Sequence, residues 1–169
     1  VGFNRRFSHL ANEVKSFLRA RSTPLVIHYR VNAGYLPREH WTQDPEVGGG
    51  RVVGEICHFI DFLQFMTDSF PVSIFAEGIS GDTGKYSRND NLALTIKFRD
   101  GSLGTILYTA HGPKTFSRER VEIFSEDSAF MIEDFRVATV VQRGKSKRIK
   151  KWSQDLGYLQ ELDHFLNSD

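Results

Sequence analysis

Hydrophobic and polar positions change period several times along the chain, and each change predicts an element. Leu10, Ala11, Val14, Phe17 and Leu18 recur at helical spacing after Ser8, a residue suited to an N-cap. Pro24 cannot continue that helix, which is expected to end near Arg21. Leu25, Ile27, Tyr29 and Val31 alternate with Val26, His28 and Arg30, the period of a strand with one face that is not purely apolar. Residues 32–50 show no period and hold Pro37, Pro45 and three consecutive glycines; Tyr35, His40 and Trp41 argue against disorder in so long a loop. The strongest helical signal covers residues 51–67. Short strand-like runs follow at 72–76, 92–98, 103–110, 119–124, 129–132, 137–142 and 147–152, with Asp100-Gly101 as a hairpin signal and the glycine-rich stretch 78–91 as a loop. A last helix from about Leu156 places Leu159, Leu162, Phe165 and Leu166 on one face, and residues 1–3 read as the end of a strand. This order predicts an α+β fold: an open, largely antiparallel β-sheet with helices packed on one face.

Composition narrows the function classes. The 169 residues are 40% hydrophobic, enough for the core of one domain. Lys plus Arg is 22 against 21 for Asp plus Glu, so no global field draws the protein to nucleic acid or to an anionic membrane. One cysteine excludes an internal disulfide, and no apolar run approaches the roughly 20 residues of a membrane span. A soluble, cytoplasmic domain is the expectation. The opening at Val1, inside a strand-like stretch, reads as an excised piece. Lys145, Lys147, Arg148, Lys150 and Lys151 read as a solvated edge strand guarded by cations rather than a nucleic-acid contact.

Candidate chemistry concentrates on the helix at 51–67. At about 100° per residue, Arg51, Gly54, Glu55, His58 and Asp61 fall within an arc of about 120°, opposite Val52, Val53, Ile56, Phe59, Ile60 and Leu63. An ordinary solvated face would give the same stripe. The neighbourhood argues for more: an aromatic loop feeds three glycines and then a helix carrying His58, the side chain best suited to proton transfer near neutral pH, with Glu55 and Asp61 each three residues away to orient it. Cys57 falls on the apolar side and reads as a core thiol. No spacing of His and Cys resembles a metal site, so none is expected. No glycine run has the spacing of a dinucleotide or P-loop motif: position 53 is Val.

Several runs, in order, resemble one family. Val1-Gly2-Phe3-Asn4-Arg5-Arg6-Phe7-Ser8, Tyr29-Arg30-Val31-Asn32-Ala33-Gly34, the loop from His40 to Gly50 with the helix to Asp61, Asp90-Asn91, Phe98 with Asp100-Gly101-Ser102, and Gly157-Tyr158 with Glu161-Leu162 are similar to the C-terminal half of Gfo/Idh/MocA-type oxidoreductases. The resemblance implies the dihydrodipicolinate-reductase-like α+β fold. Residues 1–6 would be a remnant of the last Rossmann-domain strand, and 7–169 the substrate-binding and oligomerisation domain. It implies hydride transfer to or from a sugar, sugar-nucleotide or cyclitol carbon, with NAD or NADP bound mainly by an N-terminal Rossmann domain absent from this chain. The chain alone would then be inactive. Its partners would be that Rossmann domain, a sugar-like small molecule and sister subunits joined through the sheet. His58 matches the family's acid/base histidine. The position four before it, usually a catalytic Asp, is Gly54, and Glu55 is the nearest substitute, so His58 and Glu55 form the expected catalytic set. Arg30, Asn32, His40, Trp41, Asp44 and Arg51 are the expected substrate contacts, and Arg5 and Arg6 the expected cofactor contacts. A non-catalytic ligand-binding or assembly module of the same fold is the alternative.

Overall fold

A computed structural model describes residues 2–44, 46–80, 84 and 90–167. Eight strands form one sheet: β1 (Val26–Asn32), β2 (Pro71–Gly78), β3 (Asn91–Phe98), β4 (Leu103–Thr109), β5 (Glu119–Ser125), β6 (Ser128–Glu133), β7 (Val137–Gln142) and β8 (Lys145–Lys150). Their order is β2-β3-β4-β1-β5-β6-β7-β8. Every neighbouring pair is antiparallel except β1 with β4, which run parallel because the chain leaves β1, builds a helix and returns on the far side of β4.

Register sorts the side chains between the faces. Ile27, Tyr29 and Val31 of β1, Ile106 and Tyr108 of β4, and Val121 and Ile123 of β5 turn to the buried side. Two helices cover it, α1 (His9–Leu18) and α2 (Cys57–Thr67). Phe59 and Phe62 of α2 meet Tyr29 edge-on at 5.0 and 5.4 Å, and Phe17 of α1 lies 6.1 Å from Phe130. A side chain at Gly104 would place Cβ 2.9 Å from Leu63 Cδ1, so glycine lets α2 sit close on β4. Lys15 of α1 donates to the carbonyls of Phe65 (2.6 Å) and Met66 (3.1 Å) and pairs with Asp68, satisfying the end of α2. The other face of the sheet is open, and Val26, Leu103, Leu107, Phe124 and Val141 are exposed on it. Among the described residues, no helix is long and apolar enough to cross a membrane.

The elements differ from the sequence expectations in instructive ways. The helix expected over 51–67 begins with a π turn, Val52–Ile56, before it becomes α2. The wider turn breaks the even angular step assumed above: Val52 and Val53 are exposed and Arg51 is buried, the reverse of the expected stripe. Gly2 and Phe3 belong to no strand, and Asn4–Phe7 is a 3-10 turn; Val1 lies outside the described residues. Ser8 precedes α1, but its hydroxyl makes no cap hydrogen bond. Cys57 is half-buried rather than fully in the core. The final helix, α3 (Tyr158–Asn167), leaves Leu159, Leu162, Phe165 and Leu166 exposed. The basic run forms edge strand β8, and β2 is the opposite edge. Most of the loop expected at 78–91 lies outside the described residues.

Candidate functional site

Phe3 and the 3-10 turn that follows it, Asn4–Phe7, grip α2 through three contacts. Phe3 meets the ring of His58 edge-on at 5.6 Å, the Arg5 guanidinium lies 4.7 Å over the ring of Phe59, and Arg6 forks onto Asp61, its Nε donating at 2.9 Å. Arg5 is itself locked from the sheet. Its Nε and Nη2 donate to the two oxygens of Glu119 on β5, both at 2.7 Å, and the Tyr29 hydroxyl of β1 donates to the same carboxylate at 2.6 Å. All three side chains are buried. Burial favours the protonated acid of Glu119, but the bonds and charge of Arg5 and then the Tyr29 hydroxyl outweigh it and hold the carboxyl below its ordinary range. Burial likewise opposes the Arg5 charge and is outweighed by Glu119, while burial and that carboxylate push the Tyr29 phenol well up.

His58 is half-buried on α2. Its Nδ1 is buried with no hydrogen-bond partner, so the accessible ring nitrogen is Nε2. Burial lowers its pKa, and the positive charge of Arg5 lowers it further; Asp61, Glu161 and Glu119 pull it back only in part. The two leading effects favour the uncharged ring. Neither expected orienting carboxylate bonds to it. Asp61 holds Arg6. Glu55 receives Arg51 Nε at 2.9 Å and Arg118 Nη2 at 3.5 Å. Glu55 stands four residues after Arg51, a spacing that pairs the two side chains, and Arg118 beside β5 holds it as well.

Arg51, expected to touch substrate, is instead a buried fastener. It donates to the carbonyls of Gly34 (2.7 Å) and Ala33 (3.4 Å) and lies 5.3 Å over the Tyr108 ring, tying the loop after β1 to the start of the helix. Arg5, expected on the cofactor, is occupied by Glu119. Arg6 is partly exposed but bound to Asp61. Arg30 alternates with Tyr29 and so projects from the open face of the sheet, where Ser117 O (2.8 Å) and Oγ (2.6 Å) hold it under Phe116; the structure does not bring it to His58. Asn32 donates to Pro113 O at 2.9 Å and keeps an unpartnered, buried Oδ1.

The long loop is folded upon itself. His40 Nδ1 meets Thr42 Oγ1 at 2.9 Å and caps the short turn Trp41–Gln43, leaving Trp41 63% exposed. Asp44 Oδ1 accepts from Glu46 N at 2.8 Å and Val47 N at 3.1 Å, and its carbonyl accepts from Gly48 N and Gly49 N. The amides of Gly48 and Gly49 are thus used internally. With Arg5 and Arg6 also committed, the residues present do not fit a dinucleotide's phosphates; what fits a nicotinamide reaction is the uncharged, accessible imidazole of His58. Among the described residues, no group of His, Cys, Asp or Glu could hold a metal ion. Beside the site, α2, α3 and the first turn enclose a groove of about 1220 Å³, with Phe3, Phe7 and Phe165 facing Arg6, Asp61 and Glu161.

Sequence reasoning missed Glu119 and Tyr29. The signal was present: Glu119 occupies the inward parity of a strand whose other inward residues are Val121 and Ile123, and Tyr29 does the same between Ile27 and Val31. A charge at an inward strand position needs a buried partner.

Comparison with known families matches residues 22–130 to the GFO/IDH/MocA C-terminal domain. No curated protein matches the chain. Solved structures share the fold at low identity. A UDP-N-acetylglucosamine 3-dehydrogenase from Acidithiobacillus ferrooxidans is 16% identical over 98% of this chain and 50% of its own, with a TM-score of 0.75. An inositol dehydrogenase homolog from Azotobacter vinelandii, complexed with NAD+, is 14% identical over 94% of this chain and 44% of its own, with a TM-score of 0.73. A levoglucosan dehydrogenase in complex with NADH and levoglucosan is 16% identical over 88% of this chain and 46% of its own, with a TM-score of 0.64. The chain spans about half the length of these proteins.

Proposed function

The chain belongs to the GFO/IDH/MocA C-terminal domain family, and we propose that it is the substrate-side half of an oxidoreductase acting on a sugar, sugar-nucleotide or cyclitol carbon, with His58 as its base. The observation that carries this reading is the neutral, half-buried imidazole of His58 with Nε2 accessible and no carboxylate on Nδ1. Such a ring, as the Nδ1–H tautomer, keeps the Nε2 lone pair free to accept a carbinol proton. NAD or NADP, held mainly by an N-terminal Rossmann domain, supplies hydride acceptance or donation when bound. The three grips from Phe3, Arg5 and Arg6 fix the helix that carries the base. Trp41 offers an exposed aromatic platform for a sugar ring, and His40 and Asp44 polar edges beside it. Support also comes from the dehydrogenases of matching fold, among them one with NAD+ and one with NADH. The open sheet face, with Val26, Leu103, Leu107, Phe124 and Val141 exposed, suits packing against a second copy.

A non-catalytic assembly module of the same fold is the second reading, favoured by the glycine at 54 and by Glu55 being taken up by Arg51. One measurement separates the two. On the intact protein, with a panel of polyols and sugar nucleotides followed by nicotinamide absorbance, His58→Ala is expected to lower turnover by roughly 10²–10⁴-fold with the Michaelis constant for cofactor little changed. An unchanged turnover number removes His58 from the chemistry.

A further inference from the structure

The buried cluster behind His58 has a layout that simple packing does not require. Arg5 is held by three contacts, two hydrogen bonds to Glu119 and the face of Phe59 beneath the guanidinium, and the Tyr29 hydroxyl donates to the same carboxylate. Phe59 adjoins His58 on α2, and Phe3, two residues before Arg5, is the ring against the imidazole. We propose that Arg5, locked by Glu119 and Tyr29, is a positioning residue for His58: it sets where the imidazole sits and stands as a fixed cation that keeps a second positive charge from settling on the ring. This rests on His58 being the base proposed above.

The charges that act on His58 come from each element around it: Arg5 from the 3-10 turn, Asp61 from α2, Glu161 from α3 and Glu119 from β5. Asp61 is spent on Arg6 and Glu119 on Arg5, so neither reaches Nδ1 as an acceptor. The base form with Nε2 free and the imidazolium both carry a buried Nδ1–H without an acceptor, so what sets the imidazolium apart is a second positive charge near the guanidinium. The imidazolium is an eager donor, which suits a base that must pass its proton on within each turnover.

The test reads the titration of His58 itself, by NMR of the intact protein with isotopically labelled histidine, beside the pH profile of kcat/KM. Arg5→Met removes the cation and is expected to raise the His58 pKa by about half a pH unit or more, while Glu119→Gln leaves Arg5 uncompensated and lowers it by a similar amount. Arg5→Lys keeps the charge and stays near the wild-type value, and the double variant Arg5→Met with Glu119→Gln returns toward it. Opposite shifts in the two single variants, mirrored in the acid limb of kcat/KM, support the inference, because a merely structural role moves both in one direction or neither. Shifts of the same sign, or none, overturn it and leave the role of His58 standing. Should Arg5→Met fail to fold, Glu119→Gln and Arg5→Lys carry the same comparison: a lowered value in the first and none in the second support it, and equal values overturn it. An unaltered turnover in His58→Ala overturns the underlying reading and this one with it.

Discussion

Arg5 and Arg6 are neighbours in the chain and make the same kind of bond, a two-pronged grip on a carboxylate, yet depth gives them different tasks. The Arg5 and Glu119 side chains are 9% and 1% exposed, whereas the Arg6 side chain is 35% exposed opposite an Asp61 at 9%. In the first pair neither partner can turn to water, so each is indispensable to the other. In the second, water reaches the arginine but little of the carboxylate, so one partner alone is exposed. The difference shows why counting ion pairs says little until burial is known.

The largest effect that can break this contrast is Glu119→Ala, which strands the Arg5 guanidinium in the core. A loss of about 3–5 kcal/mol is expected in urea unfolding, and a loss below about 1 kcal/mol would erase the distinction between the two arginines. Tyr29→Phe comes next. It keeps the ring against Phe59 and Phe62 and removes only the hydroxyl bond to a buried carboxylate, for about 1.5 kcal/mol. Arg6→Ala should cost less than Glu119→Ala, about 1 kcal/mol or somewhat more because Asp61 loses its donor, and the difference from wild type should shrink as salt is added, which it should not do for Glu119→Ala. The smallest effect is a slope with pH. His58 has a lower pKa folded than unfolded, so the unfolded chain binds a proton that the fold resists; stability is full above the ordinary histidine value of 6.5 and declines as pH falls below it. Glu119 has the depressed-carboxylate sign, its contribution persisting through that range and vanishing only as pH falls below the ordinary 4.5. Denaturant midpoints at mildly acid pH should therefore decline in wild type and stay flat in His58→Ala; equal slopes in both would show that His58 titrates as it does in the unfolded chain.

Much of the fold was legible because it is written in local periods. Alternation at Ile27, Tyr29 and Val31 and at Val121 and Ile123 marks strands whatever surrounds them, and the cations of β8 mark an edge. The α+β class and the open, largely antiparallel sheet followed. Of the proposed site, the sequence located His58 on its helix but not the partners around it. The exposure of Arg51, Val52 and Val53 was misjudged because a regular helix was assumed where a π turn widens the backbone, and periodicity carries no sign of such a turn at Val52–Ile56. Arg5 and Arg51 were read as ligand contacts because an arginine beside glycines or at a strand end looks available. Their real partners, Glu119 and the carbonyls of Ala33 and Gly34, are brought to them by tertiary folding across 114, 18 and 17 residues of chain, a pairing that single-residue chemistry does not announce.

The π turn also gives the helix a spare residue. A turn closed over five residues holds one more than an α turn with the same ends, and here the surplus falls at exposed positions, Gly54 among them. Deleting Gly54 would let the backbone rewind as α-helix while Cys57–Thr67 keeps its seat on the sheet. Because the two ends stay the same, Arg51 would keep its place over Tyr108, and only the residues between it and Cys57 would be re-aimed. The length of this one turn therefore acts as an adjustable spacer. A gene that gained or lost a single codon here would redraw the rim of the site and leave its histidine where it stands.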